Sequence, residues 1–196
     1  MKLKNREKYT RIIQAAVYMF TNKGFYQTTV AEIAREAGVG KGTVYTYFEN
    51  KEALFLAIIE EGLQQITLQV EENRDPEADP RLQLKQAIMA TLDFFAEHRD
   101  FCIFLVREHF SYDQSIKEQA EKLYYQPNSP FREILSQGRE QEIFEFEHLD
   151  TLTAGLTGAI FSSAFYWFIF SSHFPVSKIY STLENLFFHN LLGNGD

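Results

Sequence analysis

The sequence predicts an all-α protein in which a three-helix helix-turn-helix domain precedes a larger helical domain. Apolar residues recur at helical spacing through most of the chain, and the one alternating stretch, 143–146, is too short for a strand. A turn that contains Gly38 and Gly40 separates two short helical segments near the amino end. Positive charge is concentrated in the same region, so the two parts of the chain differ in composition as well as in length.

The two short helices flank this turn. Thr29 is a suitable N-cap, and Glu32 stands three residues later, where its carboxylate reaches back to complete a capping box. Gly38 supplies a residue that tolerates positive φ just past the end of this helix. In the next helix only Val44 and Phe48 are spaced to point inward, which is few for a purely structural helix.

Longer helices are predicted before and after this pair. A one-sided apolar stripe predicts a helix over 5–22, which Gly24 ends. Asn50 is placed to cap a helix that continues to about residue 70 and joins an amino-terminal domain, 1–51, to a regulatory domain, 52–196. Beyond the loop at 73–80, helices are predicted over 81–97, 101–110, 114–126, 130–141, 150–172 and 176–192.

The residues around the turn also form a recognisable pattern. The segment T-V-x-x-I-A-x-x-A-G-V-x-K-G-T-V-Y-x-Y-F-x-N-K-E-x-L-F resembles the DNA-binding domain of the TetR family of bacterial transcriptional regulators, over roughly residues 8–55. Gly40 stands where many members have a serine N-cap, and Tyr47 where many have histidine. The first difference weakens the cap by only a few tenths of a kcal/mol, and the second removes any imidazolium charge.

The resemblance implies that the second short helix lies in the major groove of duplex DNA, with Gly42 allowing close approach to the bases. A phosphate contact by Lys51 is expected on physical grounds as well. A cation in the first turn of a helix is unfavourable in the isolated helix and favourable beside a phosphate. Surface packing of Tyr45 and Tyr47, and simple solvation of Lys51, are the alternatives. The expected DNA-binding residues are Thr29, Lys41, Gly42, Thr43, Tyr45, Thr46, Tyr47 and Lys51.

The charge distribution supports a polyanionic partner without reference to any family. Residues 1–51 hold 9 Lys and Arg against 4 Asp and Glu, whereas residues 52–196 hold 10 against 23. The acidic pI of about 5.2 therefore conceals a basic segment of the kind that binds phosphates. A solubilising basic tail is the alternative for the cluster at the amino end, which comprises Lys2, Lys4, Arg6, Lys8 and Arg11.

No cofactor, metal site or enzymatic activity is expected. Cys102 is the single cysteine, which excludes an intrachain disulfide, and the charged amino end lacks a signal-peptide pattern, so we expect a cytoplasmic protein. His98 and Cys102 are four residues apart, but two ligands do not make a metal site. The histidines form no H-E-x-x-H motif, and no phosphate-binding glycine loop is present.

Residues 151–172 carry no charge and predict a helix that must be buried on every side. Pairing with the same helix of a second copy is the simplest way to bury it, with the last helix as second contributor. The resembled family uses its two final helices in this way. A membrane span is the alternative, against which the serines and threonines and the absence of strong basic anchors argue. The expected dimer contacts, within 150–192, are Gly155, Gly158, Ala159, Ser162, Ser163, Leu183 and Phe187.

The segment 94–131 is richer in aromatic residues than helix packing usually requires, which predicts an apolar effector pocket within about 81–141. An aromatic core with polar residues at its edge is the alternative. The expected effector-binding residues are Phe94, Phe104, Arg107, Phe110 and Tyr124.

Together these observations predict a repressor that binds a palindromic double-stranded DNA operator as a homodimer and is released by a hydrophobic or amphipathic small molecule, without membrane contact. In the resembled family, ligand entry moves the joining helix and changes the spacing of the two DNA-reading units. The competing hypotheses are a membrane-associated protein built around 151–172 and a helical interaction protein without operator binding.

Overall fold

The structure, a computed structural model, describes residues 3–108, 114–124, 129–171 and 173–191. These residues form helices and connecting turns, with no strands among them, which confirms the all-α prediction. The helices are α1 (Leu3–Lys23), α2 (Val30–Glu36), α3 (Lys41–Tyr47), α4 (Lys51–Asn73), α5 (Pro80–Glu97), α6 (Arg99–Glu108), α7 (Gln114–Tyr124), α8 (Pro130–Glu140), α9 (Leu149–Phe170) and α10 (Val176–Leu191).

The helix ends are set by caps that the sequence predicted. Thr29 and Glu32 form the predicted capping box at the start of α2, and the side-chain oxygen of Asn50 accepts a hydrogen bond from the backbone of Ala53 at 2.7 Å. Gly24 and Gly38 both have positive φ, of 87° and 63°. These two turns end α1 and α2 at the predicted positions.

The chain divides into two compact units, and α4 runs through the boundary between them. The first unit comprises Met1–Leu63 and Ile103–Tyr124, and the second comprises Gln64–Cys102 and Tyr125–Asp196. The first unit thus extends past residue 51, the expected end of the DNA-binding domain, and includes a later segment of the chain. The boundary at residue 51, which was predicted from composition, does not coincide with the boundary between these units. It stays a prediction about the extent of the DNA-binding domain.

An aromatic cluster forms the centre of the first unit. Phe20, Phe55 and Phe104 have no solvent exposure, and the ring centroids of Phe55 and Phe104 lie 5.0 Å apart. Phe25 contacts the same cluster, 4.9 Å from the ring of Phe55. This core fixes α1 against the first turns of α4, which are the elements that support α2 and α3.

A buried polar network holds together the start of the second unit. Arg74, just past the end of α4, donates to both carboxylate oxygens of Glu71 and to Glu133. Its other terminal nitrogen donates to Gln83, which is fully buried. The amide of Gln83 donates in turn to the carbonyl of Ala78 at 2.8 Å. Since buried polar groups are costly to leave without a hydrogen-bond partner, this network fixes the loop between α4 and α5.

Candidate nucleic-acid interface

The start of α2 is fixed by hydrogen bonds between Thr29 and Glu32. The Thr29 hydroxyl donates to the Glu32 carboxylate at 2.7 Å, and the Glu32 backbone N–H donates to that hydroxyl at 3.3 Å. Lys23 also pairs with the Glu32 carboxylate. These contacts lower the pKa of Glu32 from 4.5 to about 2, chiefly through the hydrogen bond from Lys23. Because the hydroxyl of Thr29 is engaged in the cap, the structure gives this residue a capping role.

Helix α3 has one buried side and one exposed side. Val44 is 1% exposed and packs inward, and Phe48, at the C-cap, is also buried. Lys41, Gly42, Tyr45 and Thr46 are exposed, and their spacing places them on one face of the helix. Thr43 is half-buried. The first turn of α3 has no side-chain cap, since Gly40 occupies the N-cap position.

The exposed face of α3 combines a cation with an aromatic ring. The ammonium of Lys41 lies 5.8 Å from the centroid of the Tyr45 ring, and Tyr45 is 47% exposed. The Thr46 hydroxyl donates to the carbonyl of Gly42 at 3.0 Å. Lysine, tyrosine and threonine side chains of this kind contact phosphates and base edges in protein–DNA complexes.

Gly42 has no structural explanation within the chain. A Cβ added at this position meets no heavy atom within 4 Å, and no positive φ requires glycine there. Glycine inside a helix costs about 0.5–1 kcal/mol relative to alanine. The close approach of DNA to the helix backbone at Gly42, which the family resemblance implies, stays a prediction.

Tyr47 has a different environment from the one expected of a phosphate ligand. Its hydroxyl lies 2.9 Å from the backbone oxygen of Asn5 and 3.2 Å from the Asn5 side-chain oxygen, and therefore donates to one or the other. The half-buried ring packs edge-on against Tyr9, at 5.7 Å. Tyr47 therefore joins the end of α3 to the start of α1 in this structure, and its expected DNA contact stays a prediction.

Lys51 is also engaged within the chain. Its ammonium donates to the backbone oxygens of Phe25 and Thr28, at 2.8 and 3.0 Å, and lies 4.2 Å from the centroid of the Phe25 ring. Burial lowers its pKa. These contacts contradict the alternative of a solvated lysine, and the expected phosphate contact stays a prediction.

One residue that packs near α3, Tyr9, was missed from the sequence. The rings of Tyr9 and Phe48 pack with their centroids 5.3 Å apart, and the Glu61 carboxylate on α4 lies near the Tyr9 hydroxyl. Burial and this carboxylate raise the pKa of Tyr9. The position of Tyr9 three residues before the apolar stripe of α1 was the available signal, since aromatic residues at that spacing extend the stripe by one turn.

The expected dimer contacts differ in exposure. On α9, Gly155, Gly158 and Ser162 are exposed, and Ala159 and Ser163 are half-buried, as Phe187 is on α10. Leu183 is 2% exposed because it packs in the core of its own unit, and this corrects its assignment to a dimer contact. Only 22% of the most apolar 18-residue stretch of α9 is buried. By length and composition alone, this helix could span a membrane.

Of the expected effector contacts, Phe94 is 7% exposed and packs against Phe101 in the second unit. Phe104 is a core residue of the first unit, in contact with Phe20 and Phe55, and this replaces its assignment to an effector pocket. Phe110 lies outside the described residues, as do the side chains of Arg107 and Tyr124. Among the described residues, no group of three or more His, Cys, Asp or Glu side chains is arranged to hold a metal ion.

A tri-helical unit with a capped α2, a glycine-containing turn and an α3 exposed on one side defines a helix-turn-helix protein. Residues 12–58 match the family model described as bacterial regulatory proteins, tetR family. The resemblance that the sequence pattern predicted is thus confirmed over these residues.

Similar proteins are regulators of the same type. An uncharacterised helix-turn-helix transcriptional regulator, YerO of Bacillus subtilis strain 168, is 34% identical over 135 residues, 66% of this chain and 46% of the relative. The fatty acid metabolism regulator protein of the same strain is 35% identical over 98 residues, half of each chain. The chain thus matches about half the length of these curated relatives.

Solved structures show the same fold over most of the chain. FadR from Bacillus subtilis, a transcriptional regulator solved in complex with stearoyl-CoA, has a TM-score of 0.83 and 23% identity, covering 93% of this chain and 99% of that one. A tetR family regulator from Shewanella sp. PV-4 has a TM-score of 0.79 and 21% identity, covering 94% and 97%.

Proposed function

We propose that the protein is a cytoplasmic transcriptional repressor that binds a palindromic DNA operator as a homodimer and leaves it when a hydrophobic or amphipathic molecule binds. The exposed face of α3 carries this proposal. Lys41, Gly42, Tyr45 and Thr46 lie together on that face, and the opposite side of the helix is fixed by Val44. A rigid helix with outward polar side chains has the geometry of a recognition helix in the major groove.

The uncovered face of α9 supports the dimer. Gly155 and Gly158 are exposed within a helix, and a Cβ added at either meets no heavy atom within 4 Å. Both glycines therefore weaken the helix without a packing benefit inside one protomer. Further along the same helix, Tyr166 and Phe170 are 56% and 72% exposed. A second copy packed on this face explains the small residues through close helix approach and covers the apolar ones.

The effector is proposed to be a long-chain acyl compound. One relative is named as a fatty acid metabolism regulator, and a protein of the same fold was solved with stearoyl-CoA. In this chain Phe94 contributes an apolar surface among the helices of the second unit, and Arg107 is the proposed partner of an anionic head group. Release requires that the ligand bind the free form more tightly than the operator-bound form.

Selection of genomic fragments by the full chain, followed by fluorescence anisotropy on the recovered duplex, tests the proposal. We expect one palindromic site, bound as a dimer, with an affinity that falls steeply as salt rises. Stearoyl-CoA should weaken this binding, whereas coenzyme A alone should not. A chain that recovers no sequence above background would overturn the DNA-binding proposal, and equal effects of stearoyl-CoA and coenzyme A would overturn the acyl effector.

The substitution Gly42→Ala tests whether α3 contacts DNA, without disturbing the folding of the helix. The added methyl group meets open space, so the free energy of unfolding should be unchanged or slightly higher. Operator affinity should fall because the methyl group stands between the helix backbone and the bases. Thr46→Ala is the matched control for loss of a side-chain contact without added bulk. Unchanged operator affinity in Gly42→Ala would show that α3 does not lie in the major groove.

The length and apolar character of α9 favour a second candidate, a membrane-associated protein. Fractionation of cells that express the chain distinguishes the two. A dimer that remains in the supernatant after ultracentrifugation without detergent supports the repressor. Recovery in the membrane pellet supports the second candidate.

A further inference from the structure

Arg74 contacts three helices of the second unit from a buried position. It follows the last residue of α4, and its side chain is 5% exposed. Its Nη2 atom donates to both carboxylate oxygens of Glu71 on α4, at 2.9 and 3.1 Å, and to Glu133 in the first turn of α8, at 3.3 Å. Its Nη1 atom donates to the side-chain oxygen of Gln83 on α5, at 3.2 Å. One guanidinium therefore joins α4, α5 and α8.

Gln83 extends these contacts to the loop between α4 and α5. This side chain is fully buried, and its amide nitrogen lies 3.1 and 2.8 Å from the carbonyl oxygens of Pro76 and Ala78. The same nitrogen lies 3.4 Å from the side-chain oxygen of Gln137 on α8. The loop that follows Arg74 is thus held to α5, and α8 contacts the glutamine that holds it.

Stability alone does not explain a cation at this position. Glu71 and Glu133 remain 43% and 62% exposed, so water screens their attraction to the guanidinium. Removal of a guanidinium from water is costly, and apolar side chains in place of a buried ion pair are often as stable or more stable. The Nε atom of Arg74 is buried, and no acceptor lies within hydrogen-bond distance of it in the described part of the chain. Arginine is explained instead by its planar set of donors, which fixes the direction of several partners at once.

The helix that Arg74 follows belongs to both units. Its residues up to Leu63 are in the first unit, which also contains α2 and α3, and its residues from Gln64 onward are in the second. Within the second unit α8 packs against α5 and α9, and this unit includes most of the segment in which the effector is proposed to bind. The contacts of Arg74 therefore connect that segment to a helix that the first unit shares.

We propose that Arg74 is a positioning residue that holds the last turn of α4 to α5 and α8, and that the response of operator binding to an effector depends on this hold. Arg74 acts through its partners and is a ligand of neither DNA nor effector. The part of the proposal that concerns the effector rests on the proposed function, whereas the hold on α4 does not.

Amide hydrogen exchange of the free full-length chain tests the hold. Arg74→Met keeps an apolar stem and removes the donors. Exchange over residues 70–73 and in the first turn of α8 should accelerate about tenfold or more, as expected for the loss of charged hydrogen bonds. Exchange in α3 should stay unchanged. A variant that is merely less stable would instead accelerate the slowest amides of the whole chain, because these exchange through global unfolding.

Arg132→Met is the matched control for this measurement. The Nε atom of Arg132, also on α8, donates to Asp150 on α9 at 3.0 Å, so this ion pair joins α8 to α9. Its loss should leave exchange over 70–73 as in wild type. Unchanged exchange over 70–73 in a folded Arg74→Met would overturn the proposal. If Arg74→Met does not fold, Glu133→Ala, which removes the contact with α8 alone, should accelerate exchange over 70–73 by a smaller factor, and an unchanged rate would overturn the proposal in the same way.

The ratio of operator affinities without and with stearoyl-CoA tests the dependence of the response. In wild type this ratio should be about 5–150, the usual range of coupling between two sites. In Arg74→Met the ratio should fall at least about fivefold, while calorimetry should show that stearoyl-CoA still binds. Arg132→Met should keep the wild-type ratio. A loss of stability alone changes the amount of folded protein and leaves the ratio of the two affinities as it was.

An unchanged ratio in folded Arg74→Met would overturn the role of Arg74 in the response. Loss of stearoyl-CoA binding by this variant would make Arg74 a ligand residue and would overturn that role as well. If operator binding by the wild-type chain does not respond to stearoyl-CoA, the proposed acyl effector fails, and the exchange measurement still decides whether Arg74 holds the end of α4.

Discussion

The turn after α8 contains a close contact that predicts a large effect from a single methyl group. Gly138 lies inside α8, and its carbonyl accepts hydrogen bonds from the backbone N–H groups of Ile143 and Phe144, at 2.8 and 3.0 Å. The Phe144 ring, 2% exposed, covers the glycine. A Cβ added at Gly138 lies 2.1 Å from the Cδ2 atom of that ring.

The magnitude follows from two opposing terms. Alanine in place of a helical glycine gains about 1 kcal/mol of helix propensity. Carbon atoms pack at about 3.5–4.0 Å, so the ring must leave its site, which costs about 3–5 kcal/mol, as for removal of a buried phenylalanine. Gly138→Ala should therefore lower the free energy of unfolding by about 2–4 kcal/mol.

Urea unfolding followed by circular dichroism measures this loss, with protein concentration held fixed because association shifts apparent stability. In a Phe144→Ala background the same substitution should be neutral or stabilising by up to about 1 kcal/mol, since the ring is gone. A cost that is equal in both backgrounds, or absent from Gly138→Ala alone, would refute the packing argument.

Three further predictions concern ionisable groups. Burial raises the pKa of the Cys102 thiol to about 12, so Ellman's reagent should label the folded chain no faster than the chain unfolds; rapid labelling in native buffer would contradict this burial. Because Lys23 holds the pKa of Glu32 at about 2, the stabilisation from Glu32 is complete above its ordinary pKa of 4.5 and is lost as pH falls toward about 2. Between neutral and acidic pH, the urea midpoint of Glu32→Gln should consequently fall less than that of wild type. If the midpoints of the two proteins changed with pH in parallel, the ion pair of Lys23 and Glu32 would not stabilise the fold. Tyr9→Phe removes the hydroxyl that lies near the Glu61 carboxylate and should lower the free energy of unfolding by about 1 kcal/mol; an unchanged urea midpoint would show that this contact does not stabilise the fold.

Local features of the fold were readable from the sequence because they depend on neighbouring residues. The helix of Thr29 and Glu32, the Asn50 cap and the turn at Gly38 all involve partners three or four residues apart. The turn at Glu142 was not predicted, since this non-glycine residue adopts a φ of 58° at a position where glycine is usual. The residue type thus concealed the turn.

Side-chain roles in the candidate site were less predictable for a related reason. Lys51 reaches Thr28 across 23 residues of sequence and Tyr47 reaches Asn5 across 42, and such contacts have no periodic signature. Aromatic richness singled out Phe104, and a place in a predicted dimer helix singled out Leu183, but neither feature distinguishes a pocket wall or a subunit contact from the core of one protomer. The two inward residues of α3, Val44 and Phe48, were predicted correctly because their spacing of four residues places them on one side of the helix.

The open face of α9 connects gene dosage to the behaviour of the proposed repressor. In the proposed homodimer, the stability of a protomer depends on the protein concentration, and below the dissociation constant of the dimer, the amount of dimer rises with the square of the protomer concentration. Occupancy of a promoter by such a dimer then responds with a threshold to small changes in expression. Substitutions at Gly155 or Gly158 should therefore shift that threshold in a reporter strain without altering which sequence is read.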